Sequence, residues 1–249
     1  MVQIGFKCHK GIVRENNEDA CFVIPSHDVY IVADGVGGNR SGEVASRTAV
    51  SEIAEFVNRE NLNDCRSADE IFGFFYEALE NANNSIYKIG LENASNRGMA
   101  TTAVTAYVRD DVAYVSNIGD SRAYLFREGR LNRITTDHTY VNELISKGLI
   151  TEEEAENHRQ KNVITKALGT ESLADPDFYK VSMLKGDVLM LCSDGLHGEV
   201  PQEVMEEVLS KGKGMNDTCT LLVEEAIKFG GRDNITVVCI KLLGGEHGQ

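Results

Sequence analysis

The chain has 249 residues, of which 42% are hydrophobic and 26% charged, and this balance excludes wholesale disorder. Acidic residues outnumber basic ones by 39 to 25, and the formal charge of -14 disfavours binding to nucleic acid or to anionic lipid. No apolar run approaches the ~18 residues that span a bilayer, and the N-terminus does not match a signal peptide. We therefore expect a cytoplasmic protein without membrane insertion, whose scattered cysteines stay reduced.

The predicted elements mix short strands with helices. Strands are rich in β-branched and aromatic residues, and helices show apolar residues at steps of three and four. In chain order they are strands Gln3–Cys8, Ala20–Pro25 and Val29–Ala33, helices Gly42–Glu60 and Ala68–Leu91, strands Ala103–Arg109, Val112–Ile118, Ala123–Arg127, Phe178–Leu184 and Asp187–Cys192, helices Gln202–Leu209 and Met215–Lys228, and strand Ile235–Leu242.

The loops between these strands indicate the fold class. Several, such as those containing R-D-D, E-G and K-G, are too short to hold a crossover helix and so require antiparallel pairing. The helices are grouped between runs of strands and do not alternate with them one for one. This pattern predicts an α+β sandwich with helices outside, and it argues against a doubly wound parallel sheet.

Acidic residues recur at the ends of the predicted strands. Asp34 and Asp194 each follow an apolar strand and precede a glycine, which allows a backbone carbonyl to approach a ligand closely. The other acids at such positions are Glu18, Asp19, Asp120 and Asp233. The simplest interpretation of each is a solvated turn residue. The sequence alone does not show that they converge.

If these acids do converge, they need a counterion. Two carboxylates ~4 Å apart repel by about 4 kcal/mol at an effective dielectric constant of about 20, so a cluster must protonate or bind cations. Oxygen ligands without Cys or His favour Mg²⁺ or Mn²⁺ over structural zinc. Two such ions sharing a carboxylate suit attack by an activated water at phosphorus. Arg14 could hold phosphate with two hydrogen bonds, or it could be a surface residue paired with Glu15.

An ordered set of motifs spans nearly the whole chain. The motifs are R-E-N-N-E-D (Arg14–Asp19), A-D-G-V-G-G (Ala33–Gly38), G-D-S-R (Gly119–Arg122), S-D-G-L (Ser193–Leu196) and G-R-D-N-I-T (Gly231–Thr236). Together they resemble the metal-dependent serine/threonine protein phosphatases of the 2C type, in their compact bacterial form. The resemblance implies a four-layer fold, in which two antiparallel sheets form a central β-sandwich between outer helices.

The resemblance also implies an activity and a set of metal ligands. The activity is hydrolysis of phosphoserine or phosphothreonine in proteins at a centre of two Mn²⁺ or Mg²⁺ ions, without a phosphoenzyme. Asp34 would bridge both ions, and Asp194 and Asp233 would complete one of them. The carbonyl of Gly35 would serve the other ion, with Glu18 supporting it directly or through water.

Further residues match other positions of the family. Asp120 with Asp194 matches an extra metal position of bacterial members, so a third ion is implied. Arg14 matches the arginine that grips phosphate. Asp19 and Asn234 would support the ligands from behind.

The resemblance sets the expected boundaries and partners. We expect one phosphatase domain over residues 1–243, with a variable flap at about 137–175 that influences substrate choice, and a disordered tail over 244–249. Phosphorylated proteins would be the substrates, and a Ser/Thr protein kinase would oppose the enzyme. We also expect a monomer.

One departure from the family concerns the general acid. Many relatives carry a histidine in or just after the D-G-x-G-G turn, where this chain has Val36 and Asn39. Neither side chain can protonate a departing serine alkoxide. We therefore hypothesise that a metal-bound water near Asp120 supplies the proton.

Two alternatives remain open at this stage. Cys8 and Arg14 fit the C-x5-R spacing of cysteine-dependent phosphatases, although Cys8 ends an apolar strand and the loop has a single glycine. Resistance to EDTA and loss of activity in Cys8→Ser would favour that chemistry. The second alternative is a catalytically weak regulatory binding module of the same fold.

Overall fold

The computed structural model describes residues 1–37 and 41–244. Its strands are β1 (Val2–His9), β2 (Asp19–Ile24), β3 (Val29–Val36), β4 (Ala100–Thr101), β5 (Ala103–Arg109), β6 (Val112–Ile118), β7 (Arg122–Arg127), β8 (Arg130–Arg133), β9 (Asp177–Ser182), β10 (Val188–Cys192) and β11 (Ile235–Leu242). Its α-helices are α1 (Ser41–Arg59), α2 (Ala68–Glu92), α3 (Tyr140–Ser146), α4 (Glu152–Glu156), α5 (Asp194–His197), α6 (Gln202–Ser210) and α7 (Met215–Lys228).

The strands form two antiparallel sheets. One sheet has the order β1-β11-β10-β7-β8, and the other has the order β2-β3-β5-β6-β9 with β4 paired to β3. The first and last long strands are neighbours, with Val2 opposite Leu242 and His9 opposite Ile235. In the second sheet Asp19 on β2 lies opposite Asp34 on β3, which brings two predicted site residues to the same end of the sandwich.

Three apolar layers hold the sheets and helices together. Between the sheets, side chains such as Val104 and Leu189 are fully buried. Helices α1 and α2 cover the outer face of the β2-containing sheet, where Ile53 packs in the same core as Ile31. Helices α5 to α7 cover the other sheet, and Leu222 of α7 belongs to that core. The α+β, four-layer fold class predicted from the sequence is therefore confirmed.

Short turns set the antiparallel pairing, as expected. The β5–β6 connection is made by Asp110 and Asp111, which have φ angles of 52° and 60°. Positive φ at both central residues is the requirement of a type I′ hairpin, whose twist matches that of the strands. Glu128 and Gly129 make the next hairpin, with φ angles of 52° and 80°. The strand that follows it, β8, was not predicted from the sequence.

Helix α4 begins with a capping box, in which the side chains of Thr151 and Glu154 cap each other's backbone N–H groups. The described helices include none with the length and apolar character needed to cross a bilayer.

The single domain over residues 1–243 stays a prediction. The tail predicted over 244–249 lies outside the described residues from position 245 onward.

Candidate metal centre and phosphate site

A cavity of about 620 Å³ lies at the end of the sandwich where β3 finishes and β11 starts. Residues predicted from the sequence dominate its wall. They are Arg14, Glu18, Asp34, Gly35, Asp120, Asp194, Asp233 and Asn234. The wall of one cavity therefore contains acids from distant parts of the chain. The most distant pair, Glu18 and Asp233, is 215 positions apart.

The backbone around Asp34 is held on both sides. Its N–H donates to the hydroxyl of Thr102 at 2.9 Å, and its carbonyl accepts from the hydroxyl of Thr101 at 2.9 Å. The next residue has to be glycine, because a Cβ on Gly35 would lie 2.1 Å from the carbonyl oxygen of Gly42 in α1. The start of α1 is thus packed directly against the strand end that presents the Asp34 carboxylate.

A second close approach positions Asp194 and Asp233. A Cβ on Gly195 would lie 2.0 Å from the carbonyl oxygen of Asn234, so the D-G pair at the start of α5 abuts the start of β11. The glycine after each aspartate is therefore needed because another backbone segment packs against it, and neither glycine has a positive φ. The two aspartates are thus not the solvated turn residues of the simplest interpretation.

Asn234 joins the N-terminal loop to this backbone. Its side-chain oxygen accepts from the N–H of Glu18 at 2.7 Å, and its amide donates to the carbonyls of Lys10 and Asn16, both at 2.9 Å. Because Asn234 is buried, these bonds fix the loop that carries Arg14 and Glu18 relative to β11.

Asp19 lies behind the cavity, outside its wall. It is buried, and one carboxylate oxygen accepts from the hydroxyl of Ser193 at 2.7 Å. Its other oxygen, Oδ1, is buried without a hydrogen-bond partner. The position agrees with the supporting place predicted for Asp19, although its role there stays a prediction.

Arg14 reaches the acids from the exposed side. Its Nη2 lies 2.7 Å from Oδ2 of Asp233, and half of the side chain, 52%, is exposed. Although burial opposes it, hydrogen bonding to Asp233 and the charges of Asp194 and Asp34 raise the pKa of Arg14, so the guanidinium remains charged. Arg14 lines the cavity, which is large enough for a phosphate group.

Asp120 closes another side of the cavity and is only 7% exposed. Its carbonyl accepts a hydrogen bond from Nε2 of His197, 3.0 Å away. The sequence gives no signal for this contact, since the spacing of His197 matches no zinc motif. Its contact with Asp120 links α5 to the end of β6.

The sequence did not predict an ion-pair network around the buried side chain of Asp137. Asp137 accepts from Nε and Nη2 of Arg122, the latter at 2.7 Å, and from Nη2 of Arg133 at 2.9 Å. This network anchors Asp137, the first residue of the segment predicted as a flap (about 137–175), to β7 and β8. It lines a larger groove of about 1360 Å³, which continues from the acids to helices α3 and α4. No local motif signals it, because the acid and its arginines lie on separate segments.

The electrostatics of the cavity reflect burial of the acids first and crowding of their negative charges second. Burial raises the pKa of Asp34 well above its ordinary value, and the charges of Asp19 and Asp194 raise it further. Burial and the charge of Asp233 likewise raise the pKa of Asp194. The pKa of Asp120 rises to about 7, first through burial and then through Asp194 and Asp137. Each of these shifts disfavours the ionised acid, so a cation in the cavity would be strongly attracted.

The oxygen atoms available as metal ligands in the cavity wall suit Mg²⁺ or Mn²⁺. All are carboxylate or carbonyl oxygens, and Oδ1 of Asp194 is buried without a hydrogen-bond partner. Within residues 1–37 and 41–244, no three acidic, histidine or cysteine side chains are grouped so that they could hold a metal ion by themselves.

The geometry around Cys8 argues against the chemistry of cysteine-dependent phosphatases. Sγ of Cys8 contacts Sγ of Cys21 at 3.3 Å and accepts from the hydroxyl of Thr236 at 3.2 Å. Arg14 instead contacts Asp233, and Cys8 is not in the wall of the acid-lined cavity. Cys8 lies within β1 and pairs with Thr236 of β11, so it is not at the start of a helix, where such phosphatases hold thiolate and phosphate.

Comparison with known proteins identifies the fold and then the family. The structure of the Streptococcus agalactiae serine/threonine phosphatase superposes with a TM-score of 0.90 at 32% identity, covering 97% of this chain and 100% of that one. The catalytic domain of the phosphatase PstP, in complex with two manganese ions, gives a TM-score of 0.84 at 31% identity, covering 98% and 99%. The architecture is therefore that of metal-dependent protein phosphatases.

Sequence comparison agrees. The family model of protein phosphatase 2C matches residues 10–223. The serine/threonine phosphatase Stp of Listeria monocytogenes is 35% identical over 239 residues, which cover 95% of this chain and 94% of that protein. The chain belongs to the protein phosphatase 2C family. The resemblance seen in the ordered motifs is thus confirmed, and so is the prediction that the chain is an enzyme of this type.

Proposed function

We propose that this enzyme hydrolyses phosphoserine and phosphothreonine in proteins at a centre for two Mn²⁺ or Mg²⁺ ions, and that it reverses the action of a Ser/Thr protein kinase. The observation that carries the proposal is the gathering of Glu18, Asp34, Asp120, Asp194 and Asp233 around one cavity beside Arg14. The named relatives support the substrate class, and the PstP complex supports two manganese ions.

The family resemblance supports a particular ligand set for these residues. Asp34 would be shared by both ions, Asp194 and Asp233 would complete one, and Gly35 and Glu18 would serve the other. Asp120 and Asp194 would hold a third ion, as the family resemblance implies. Ions bound there would supply a water that loses its proton readily and charge that stabilises the attacked phosphoryl group.

The protein's own groups orient the substrate. Arg14 would hold two phosphate oxygens with its guanidinium, keeping part of its contact with Asp233. Asn234 keeps the backbone of Glu18 in place, so the loop carrying Arg14 does not drift from the acids. The groove that continues under the flap gives the polypeptide around the phosphorylated residue a place to lie.

Departure of the serine or threonine oxygen requires a proton. Val36 lines the cavity but cannot donate one, and Asn39 lies outside the described residues. We propose that protonation depends on the Asp120 carboxylate. Asp120→Ala should then slow hydrolysis of a phosphothreonine peptide far more than hydrolysis of an aryl phosphate, whose leaving group needs no proton. Small and equal effects on both substrates would contradict this role, while Asn39→Ala should barely change turnover.

The function is tested by phosphate release from a phosphothreonine peptide. We expect release with Mn²⁺, none with EDTA, and none in Asp34→Asn. Asp111→Asn, which removes an exposed acid in the β5–β6 turn, serves as the matched control and should behave like wild type. Release that resists EDTA would refute the metal-dependent proposal. Peptide binding without release would favour the regulatory module instead.

A further inference from the structure

Two cysteines that phosphate hydrolysis does not use meet at the edge of the sandwich. Cys8 lies on β1 of one sheet and Cys21 on β2 of the other, and their Sγ atoms are 3.3 Å apart. Both side chains are partly exposed, whereas Cys192, Cys219 and Cys239 are buried. Cys65 is also partly exposed, but its sulfur contacts a backbone carbonyl and no second thiol.

We propose that Cys8 and Cys21 form a redox-sensitive pair, which a peroxide converts to a disulfide joining the two sheets and thereby slows the enzyme reversibly. A disulfide needs the sulfurs about 2.05 Å apart, so oxidation requires an approach of about 1.3 Å from the present 3.3 Å. The two sulfurs are thus already in contact, and closing the remaining gap shifts β1 and β2 slightly toward each other.

Cys8 is the better nucleophile of the two. Its sulfur accepts hydrogen bonds from the thiol of Cys21 and from the hydroxyl of Thr236. These bonds outweigh burial and lower the pKa of Cys8 to about 7, whereas the pKa of Cys21 is raised. A thiolate at Cys8 is therefore accessible near neutral pH, which favours reaction with peroxide.

The reaction proceeds in two balanced steps. The Cys8 thiolate attacks one oxygen of hydrogen peroxide, an S–O bond forms, the O–O bond breaks, and the departing hydroxide takes a proton to become water. The Cys21 thiol then attacks the sulfur of this sulfenic acid, the S–O bond breaks, and the released hydroxide and the thiol proton form a second water. The two sulfurs lose two electrons, and the peroxide gains them.

The thiol pair is connected to the acid-lined cavity through hydrogen bonds. Thr236, which donates to Cys8, also donates from its N–H to the hydroxyl of Ser193 at 3.0 Å. Ser193 in turn donates to Asp19 at 2.7 Å, and Asp19 is two residues before Cys21 on β2. Drawing the sulfurs together removes Cys8 from Thr236 and displaces Asp19 relative to Ser193 and Asp194. Active sites tolerate displacements of only about 0.5 Å, so turnover should fall.

The bond itself is tested by mass spectrometry of the full-length protein after treatment with hydrogen peroxide. Trypsin cleaves after Lys7, Lys10 and Arg14, so Cys8 and Cys21 fall in different peptides. We expect one linked species, lighter than the two peptides by two hydrogen atoms, which dithiothreitol separates. Cys65→Ser should retain it, while Cys8→Ser and Cys21→Ser should lack it. Separate alkylation of both peptides, or linkage of Cys8 to another cysteine, would overturn the proposal.

The regulatory part rests on the proposed function and is tested in the Mn²⁺-loaded enzyme. Oxidised wild type should release phosphate at least about tenfold more slowly and should recover with dithiothreitol. Cys21→Ser should keep its rate through the same treatment. Unchanged turnover in fully linked protein would overturn the regulatory part. If the reduced enzyme releases no phosphate, the proposed function fails, and the peptide measurement still decides whether the disulfide forms.

Discussion

Replacing Asp120 by asparagine should stabilise the metal-free protein at alkaline pH. Asp120 is 7% exposed, and burial followed by the charges of Asp194 and Asp137 raises its pKa from 3.8 to about 7. The unfolded chain releases this proton near 3.8 and the folded chain only near 7. The contribution of Asp120 to stability is therefore greatest below pH 3.8 and is lost as the pH rises toward and through 7.

The size of the effect follows from the same values. From about pH 5.5 to the folded pKa of about 7, the folded protein holds a proton that the unfolded chain has lost, and this interval is ~1.5 pH units. At about 1.36 kcal/mol per unit, this one group lowers the free energy of unfolding by about 2 kcal/mol between about pH 5.5 and about pH 8. Asp120→Asn removes the ionisation while preserving the shape of the side chain. The free energy of unfolding of the variant should therefore fall by about 2 kcal/mol less than that of wild type over this range.

Urea unfolding in EDTA at the two pH values measures the difference. Circular dichroism is the suitable probe, since the chain has no tryptophan. Asp111→Asn is the matched control: it removes the same charge from an exposed turn, at a φ of 60° that asparagine tolerates. Equal pH dependence in wild type and Asp120→Asn would refute the argument, and so would an equal reduction in Asp111→Asn.

The other predictions concern the roles of single residues in the cavity. Arg14→Lys should lower kcat/KM for a phosphothreonine peptide roughly 10- to 100-fold, because lysine cannot hold two phosphate oxygens at once; unchanged steady-state kinetics would contradict this. Asp34→Asn should abolish Mn²⁺ binding in titration calorimetry while the circular dichroism spectrum is retained, and normal Mn²⁺ affinity would argue against its place between the ions. Asn234→Ala should weaken Mn²⁺ binding roughly 10- to 100-fold and destabilise the protein by about 1–3 kcal/mol, because it leaves the Glu18 N–H without a partner; calorimetry and urea unfolding measure the two effects, and no change in either would oppose it.

Local patterns predicted most of the elements that carry the site. Helix α2 was expected over Ala68–Leu91 and is found over Ala68–Glu92, because its apolar spacing and the Ser67 cap act within the helix itself. The two-residue turn at Asp110 and Asp111 fixed antiparallel pairing for a similar reason. The short strand β8 escaped notice, since R-L-N-R offers one buried residue, Leu131, among exposed ones.

Contacts between the sheets could not be predicted in this way. Cys8 meets Cys21 and Arg122 meets Asp137 because the two sheets stack, or a loop folds back, in a particular orientation. No spacing along the chain encodes that orientation. The convergence of Asp34, Asp194 and Asp233 is equally non-local, and it was foreseen only because ordered motifs resembled a known family.

The instability of the metal-free cavity and its attraction for cations have one origin. Burial, and to a lesser extent the charge of Asp194, raises the pKa of both Asp19 and Asp120 to about 7, so their ionisation in the folded protein costs stability through lost hydration and through repulsion. A divalent cation relieves that repulsion, and it binds the folded state alone only because the acids are adjacent there. Charge removed at Asp120 should therefore raise metal-free stability and lower the stability gained from Mn²⁺ in the same variant. The two changes should have opposite signs, because the carboxylate that costs stability in the metal-free protein is one that attracts the ion.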